Sequence, residues 1–384
     1  MNWAASRAAL VVGLVGLFPG GTRHQAGRPL SCVTKFRTPA SVPITSVDRI
    51  IPLNGGGLVV LDGERRQLYR FAAGGDFIRA FGRPGAGPGE FQTPTNAGLV
   101  GNQIWVADQG QQRFTLFDPD GRVIRTLPLL RVMSVIGRVP YTLRALLSEN
   151  LALLIENGTY DVAEELRARG RRVLSGRVNP TGLDTLAILD YRDGWLVVPL
   201  AHGTSLIGMD QPWASNDLLE VSPDGSYVLR LSQSAGDRSR GKVQFHWLRV
   251  PEPGAPRLVD FSVAVAPLSE RTVADWIKRL LRPDVVERFG SAAAAERGVR
   301  QHMVRPINEP AVRMALVGND GAVWLGRGTD GRHWEVFDAN AGFRAAFEIS
   351  RTVTLLAVSF EEAWGFELDA NDVPVVCRYR ASNR

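Results

Sequence analysis

The sequence predicts an all-β chain: a single six-bladed β-propeller of four-stranded antiparallel blades, carrying a short helical insertion. Three observations predict it. One hairpin pattern, a Gly/Asn/Asp turn followed by an apolar or Trp-bearing strand, returns six times, and a fixed-period repeat is the mark of a repeat architecture. In four copies a second hairpin follows, which makes each unit about four strands, the content of a propeller blade. The 40 Gly and 23 Pro scattered among Val, Leu, Phe and Trp suit short strands punctuated by turns.

The copies can be read in order. They begin at Asn54-Gly55-Gly56-Gly57-Leu58-Val59-Val60 and Gly101-Asn102-Gln103-Ile104-Trp105-Val106. A weaker copy is Ser148-Glu149-Asn150-Leu151-Ala152-Leu153-Leu154, followed by Asp193-Gly194-Trp195-Leu196-Val197-Val198. The last two are Asn319-Asp320-Gly321-Ala322-Val323-Trp324-Leu325 and Glu361-Glu362-Ala363-Trp364-Gly365-Phe366. A second strand closes on Phe 12 or 13 residues later, from Val59 to Phe71, Trp105 to Phe117 and Trp324 to Phe337. Turns such as Asp118-Pro119-Asp120-Gly121 and Pro223-Asp224-Gly225 then lead into another strand; Asp-Gly between apolar runs is a strong hairpin signal.

Spacing tests the count. Taking Leu58, Ile104, Ala152, Trp195, Val323 and Trp364 as equivalent, four of the five steps span 41 to 48 residues and one spans 128. The long step holds an insertion, expected at 267–304, or else a seventh blade with strands at Val243–Val250 and Leu258–Val265; the insertion is the preferred reading. Ser269 suits an N-cap, and Val273, Trp276, Ile277, Leu280 and Leu281 follow at amphipathic helix spacing. Pro283 can stop that helix or open the next, which Ala292–Ala295 suits. The helices could simply pack on the propeller, or wall one side of a ligand site.

The ends carry separate signals. Residues 1–26 read as a signal peptide or leader: one positive charge, then an apolar run from Ala8 to Phe18, too short to span a membrane and broken by Pro19-Gly20-Gly21. The propeller is expected over 31–384, without a membrane span after the leader is removed, and in the periplasm or outside the cell. Cys32 and Cys377 lie at opposite ends of that domain, where a propeller brings its chain ends together. If Ser31–Arg37 and Val373–Arg380 are neighbouring strands, the two cysteines can form a disulfide worth on the order of 5 kcal/mol in the loop-entropy account. The alternative is a pair of buried free thiols.

Net charge is +6, nearly all from Arg: the lysines are Lys35, Lys242 and Lys278. The arginines are spread along the chain without a run of like charges, so nucleic acid is not expected as a partner.

One stretch adds a resemblance. Gly82-Arg83-Pro84-Gly85-Ala86-Gly87-Pro88-Gly89-Glu90-Phe91-Gln92-Thr93-Pro94 precedes Ile104-Trp105-Val106-Ala107-Asp108 and Phe114-Thr115-Leu116-Phe117-Asp118-Pro119-Asp120-Gly121. Residues 82–127 resemble the NHL repeat and the wider group of bacterial six-bladed propellers; the likeness extends over 50–81 and 315–380 and fades between 140 and 310. The resemblance implies the fold, not the chemistry, because members include protein-binding, RNA-binding, lactonase and lyase propellers.

Functional candidates come from the loops. In such a propeller the interblade loops and the middle hairpin loops share one face. That face would present Arg65, Asp108, Gln109, Gln112, Arg113, His202, Asp330, Arg332 and His333 as ligand-binding candidates. No catalytic constellation is visible: the histidines have no metal spacing, no nucleophile elbow occurs, and Gly85-Ala86-Gly87-Pro88-Gly89 lacks the Lys of a phosphate loop. Asn157-Gly158-Thr159 matches a glycosylation sequon by chance. The expectation is therefore a monomeric exported binding module for a protein, peptide or glycan on the loop face, with no cofactor. The rival is a lactonase-like hydrolase or lyase with Ca²⁺ or Zn²⁺ on the central axis, held by residues such as Asp108, Asp330, His202 and His333.

Overall fold

The structure, a computed structural model, describes residues 27–128, 141–156, 171–177, 182–190, 195–200, 206–210, 213–234, 240–248, 257–328 and 331–381. The leader 1–26, the sequon at 157–159, His202 and Asp330 lie outside the described residues.

Six four-stranded antiparallel sheets form an all-β propeller. Blade 1 occupies 49–81, blade 2 94–128, blade 3 141–189, blade 4 218–264 and blade 5 314–348. Blade 6 uses 353–381 and takes its outermost strand, Arg28–Phe36, from the other end of the chain. The first strand of each blade is innermost. First strands touch between blades 1 and 2, 2 and 3, 4 and 5, 5 and 6, and 6 and 1. Blades 3 and 4 are joined where Arg144 Nη2 donates to the Leu219 carbonyl at 3.1 Å.

Hydrophobic patterning explains the layering. Second strands lie between neighbouring blades and are buried on both faces, so Leu58–Asp62 and Val323–Arg327 are buried throughout. Fourth strands meet water on one side and alternate, as Val123–Pro128 does. The core therefore sits between blades as separate apolar clusters. One joins blades 1 and 2 through Leu61, Phe81, Phe91, Val106 and Phe117. Another joins blades 5 and 6 through Trp324, Trp334, Phe347 and Tyr379.

Ring closure is covalent as well as hydrogen-bonded. Arg28–Phe36 pairs antiparallel with Pro374–Ala381, with Ser31 opposite Arg380 and Phe36 opposite Val376. Cys32 and Cys377 are bridged by a disulfide with their Cα atoms 5.6 Å apart. Arg378 Nη2 also donates to Thr34 Oγ1 at 2.9 Å.

The identity of the fourth blade differs from the sequence expectation. Among the described residues Trp195–Pro199 pairs only with Leu206–Asp210, in a two-stranded sheet outside the ring. The fourth blade is instead 218–264, whose third and fourth strands, Arg240–Leu248 and Arg257–Ala264, cover the stretch that could have been a seventh blade. The count stays at six because one hairpin leaves the ring and one enters it. The reason is physical: a Gly turn followed by a Trp strand marks any hairpin with a buried face, inside or outside a propeller.

That outside hairpin has its own partners. Helices α1 (Glu270–Leu280), α2 (Pro283–Phe289) and α3 (Ala292–His302) follow blade 4. Ser269 caps α1 by accepting from the Thr272 N–H at 3.0 Å, and Pro283 occupies the first turn of α2. Val273, Ile277, Val285, Phe289, Ala295 and Val299 pack with Leu196 and Val198 of the hairpin around Trp213. Trp213 meets Trp276 edge to face at 4.7 Å and donates to the Val304 carbonyl at 2.8 Å. Two interblade connections, before and after blade 4, thus fold into one lobe.

Candidate functional site

In an antiparallel four-stranded blade the first strand leaves one face and the second returns to it. The middle hairpin loops and the interblade connections therefore share a face, called here the loop face, from which the helical lobe also rises.

On that face the ends of the second strands carry buried carboxylates. Asp108 accepts from the Gln92 and Thr93 N–H groups at 2.7 and 2.9 Å, from the Gln111 N–H at 3.1 Å and from Gln111 Nε2 at 2.7 Å. Asp62 does the same in blade 1, accepting from the Thr45 and Arg65 N–H groups at 2.7 and 2.8 Å. Glu156 accepts from the Arg172 N–H and Nε, both at 2.7 Å, and from the Tyr141 hydroxyl at 3.0 Å. In blades 1 and 2 these carboxylates clamp the interblade segment to the middle turn. They satisfy N–H groups that no strand ladder reaches.

The sequence-selected residues are distributed accordingly. Asp108 is fully buried in its clamp and faces the Gln92–Thr93 loop. Arg113 holds the same loop, donating to the Ala86, Gly87 and Glu90 carbonyls at 3.2, 2.5 and 3.1 Å. Gln109 and Gln112 are brought together with Thr95, Tyr141 and Leu143 around a cavity of about 50 Å³ between blades 2 and 3. Gln112 sits in the left-handed region at φ 48°, closing the middle turn. Arg65 is exposed on blade 1. Arg332 donates to the Ile349 carbonyl at 3.4 Å, and His333 lies 3.7 Å from Glu335 on blade 5. Among the described candidates, Gln109 and Gln112 line one cavity, and Asp108 and Arg113 hold one loop.

A convergent group does exist, on the axis, and sequence reasoning missed it. All six first strands line a channel with a void of about 50 Å³, and among its lining are Arg49, Asn96, Arg144, Glu220, Leu316 and Leu356, one from each blade. Arg49 Nε donates to Asn96 Oδ1 at 2.6 Å, and Asn96 Nδ2 donates to the Arg144 carbonyl at 2.7 Å. Arg144 Nη2 reaches both oxygens of Glu220 at 3.3 and 3.4 Å. Burial lowers the Arg49 guanidinium from its ordinary value and the Arg144 charge adds to this, with Glu220 and Asp48 opposing. Burial raises the Glu220 carboxyl, with Arg144 and Arg49 pulling it back down. The available signal was a polar side chain on successive innermost strands: Asp48-Arg49-Ile50, Leu143-Arg144-Ala145 and Leu219-Glu220-Val221.

The far end of this channel is crossed by the turn after the first strand of blade 4. The Pro223 carbonyl accepts from the Leu99 N–H of blade 2 at 2.7 Å, and the Asp224 N–H donates to Asn319 of blade 5 at 3.1 Å. Gly98 makes that approach possible, since a Cβ there would stand 2.7 Å from the Pro223 oxygen.

Two guanidiniums, one amide and one carboxylate do not fit a divalent cation, which needs several oxygen or imidazole ligands and is repelled by fixed positive charge. Among the described residues no three His, Cys, Asp or Glu side chains are grouped to hold a metal ion.

The family comparison agrees with the architecture. Residues 33–140 match the family DUF5128, described as a 6-bladed beta-propeller. No curated protein matches the sequence. Among solved structures the chain is similar to a member of the DUF4221 family from Bacteroides vulgatus, at 10% identity over 93% of this chain and 100% of that one, with a TM-score of 0.44. It is similar to a Bacteroides fragilis protein described as a candidate exported protein, at 12% identity over 92% and 96%, with a TM-score of 0.44. It is also similar to the calcium-binding protein regucalcin from Agrobacterium tumefaciens, at 9% identity over 92% and 96%, with a TM-score of 0.38.

Proposed function

We propose that this protein is an exported propeller acting as a binding module, which admits part of its ligand into the axial channel from the loop face. One observation carries the reading: the axis gathers Arg49, Asn96, Arg144 and Glu220 around a void that the Pro223 turn crosses at its far end. A few convergent polar groups in a recess are the ordinary makings of a ligand site. The ligand's larger body, whether protein, peptide or glycan, would rest on the loop face beside the helical lobe. The reading assigns no catalytic residue.

Export belongs to the same proposal. A disulfide across the ring closure is a bond that persists in an oxidising compartment, and the leader-like residues 1–26 precede it. The NHL-like character of 82–127 also fits: Gly82, Gly85 and Gly89 all take positive φ in the blade-to-blade crossing.

The test is a thermal-shift screen of the full chain against small acidic, neutral and basic fragments, repeated with Leu356→Trp, which narrows the channel. At least one class is expected to raise the melting temperature in the parent and not in the variant. Fragments that bind both equally would overturn the axial reading. The metal-dependent alternative is tested by elemental analysis and melting with and without EDTA. The expected result is no stoichiometric Ca²⁺ or Zn²⁺ and no shift; one metal per chain with a fall on chelation would replace the proposal.

A further inference from the structure

We infer that the axial channel is a carboxylate site: Arg49 and Arg144 take the carboxylate of a small acid, or of an acidic end group, whose aliphatic stem lies along Leu316 and Leu356. This inference rests on the axial reading above and names its ligand chemistry.

Both arginines carry unused donors. Arg49 gives Nε to Asn96, and its two Nη atoms meet no acceptor among the described residues. Arg144 gives Nη2 to Glu220 and to the Leu219 carbonyl, and its Nη1 and Nε likewise meet none. A guanidinium edge with two N–H groups in a half-dry recess is matched by a carboxylate, which accepts both. Asn96 holds the two arginines in register, accepting from one side chain and donating to the other's backbone.

Charge selects the ligand further. Within the channel lining Glu220 is the carboxylate beside the two guanidiniums, while Asp48 acts on Arg49 from outside it, so the lining itself carries one net positive charge. A monoanion balances it, whereas a phosphate dianion would overshoot beside the Glu220 carboxylate. Shape agrees. The void of about 50 Å³ holds only a few waters at the ~10–15 Å³ each needs. That is room for one small planar group, and Leu316 and Leu356 make the opposite wall apolar.

Glu220 gives the inference a signature that a structural role would not. Arg144 is shared between Glu220 and the incoming carboxylate, so removing the Glu220 charge should help binding, while removing an arginine should hurt it.

The experiment is isothermal titration calorimetry of the full chain with sodium propionate at constant ionic strength. Propionamide and inorganic phosphate serve as separate arms. The variants are Arg49→Met, Arg144→Met and Glu220→Gln, each verified as folded by its near-UV circular dichroism. Expected is binding of propionate over propionamide, at least about tenfold weaker in either arginine variant and several-fold tighter in Glu220→Gln. Equal binding of propionamide, stronger binding of phosphate, or weakening by Glu220→Gln would overturn the carboxylate assignment. Should propionate fail while a neutral or basic fragment is lost only in Leu356→Trp, the axial reading stands and this inference falls. Should fragments ignore Leu356→Trp, both fall.

Discussion

Two sets of charged groups occupy this propeller, one buried and one half-buried, and they are built differently. Asp62, Asp108 and Glu156, on the loop face, have their oxygens filled by backbone N–H groups and near neighbours. On the axis, Asn96 ties Arg49 to Arg144, Arg144 reaches Glu220, and both arginines keep N–H groups that no described residue accepts. The first set holds blades to their connecting loops. The second holds itself in place and leaves donors over. Charge is common to both; what separates a structural group from a recognition group is how many of its hydrogen-bonding positions the fold already fills.

That contrast can be tested at four points. The largest effect should come from Asp108→Ala, which strands the N–H groups of Gln92, Thr93 and Gln111. A loss of roughly 3 kcal/mol is expected in urea unfolding, without any change in propionate affinity. An unaltered stability would break the claim that the carboxylate is a clamp.

Next is Arg144→Met, which leaves Glu220 without its nearest partner. A cost of about 2 kcal/mol at neutral pH is expected, and it should shrink in acid, where the orphaned carboxyl is neutral. A pH-independent cost would mean that Arg144 acts through packing alone.

Glu220→Gln should change stability by under about 1 kcal/mol, yet alter its pH dependence. The Glu220 carboxyl is raised in the fold, so between the ordinary carboxyl value and its folded one the native state holds more protons than the unfolded state. Stability therefore falls as pH rises through that window, and is fully present below it. Replacement by Gln should flatten that limb in thermal melts taken across the acid range. A limb that persists would belong to another group.

The smallest effect is expected for Arg65→Ala, whose side chain is exposed at a blade 1 turn while its backbone N–H serves Asp62. A change within about 0.5 kcal/mol is expected. A larger loss would give the Arg65 side chain a role in the clamp.

Much of the architecture was legible in the chain. Turn chemistry and strand alternation act within a dozen residues, so Gly101-Asn102 and Asp118-Pro119-Asp120-Gly121 announce their hairpins locally. Five of the six hairpin copies do form second strands of blades. The sixth, at Trp195, shows the limit: local signals say that a hairpin forms, not which sheet receives it. The strand Val228–Ser234 entered the ring with a weaker motif because its neighbours on either side bury it.

The site was less legible, because convergence is not a local property. Loop residues such as Asp108 and Arg113 looked available since they are polar and lie near turns, but the interblade segment folds over them. Arg49, Asn96, Arg144 and Glu220 looked like ordinary strand residues, separated by up to 171 positions from Arg49 to Glu220. The sequence alone determined short repeated antiparallel hairpins, five of which supply second strands of blades, and placed one cysteine near each end of the domain. Only the closed ring decided that four polar side chains from four blades would meet on the axis, because a propeller turns each innermost strand toward a common centre that no segment of the chain encodes by itself.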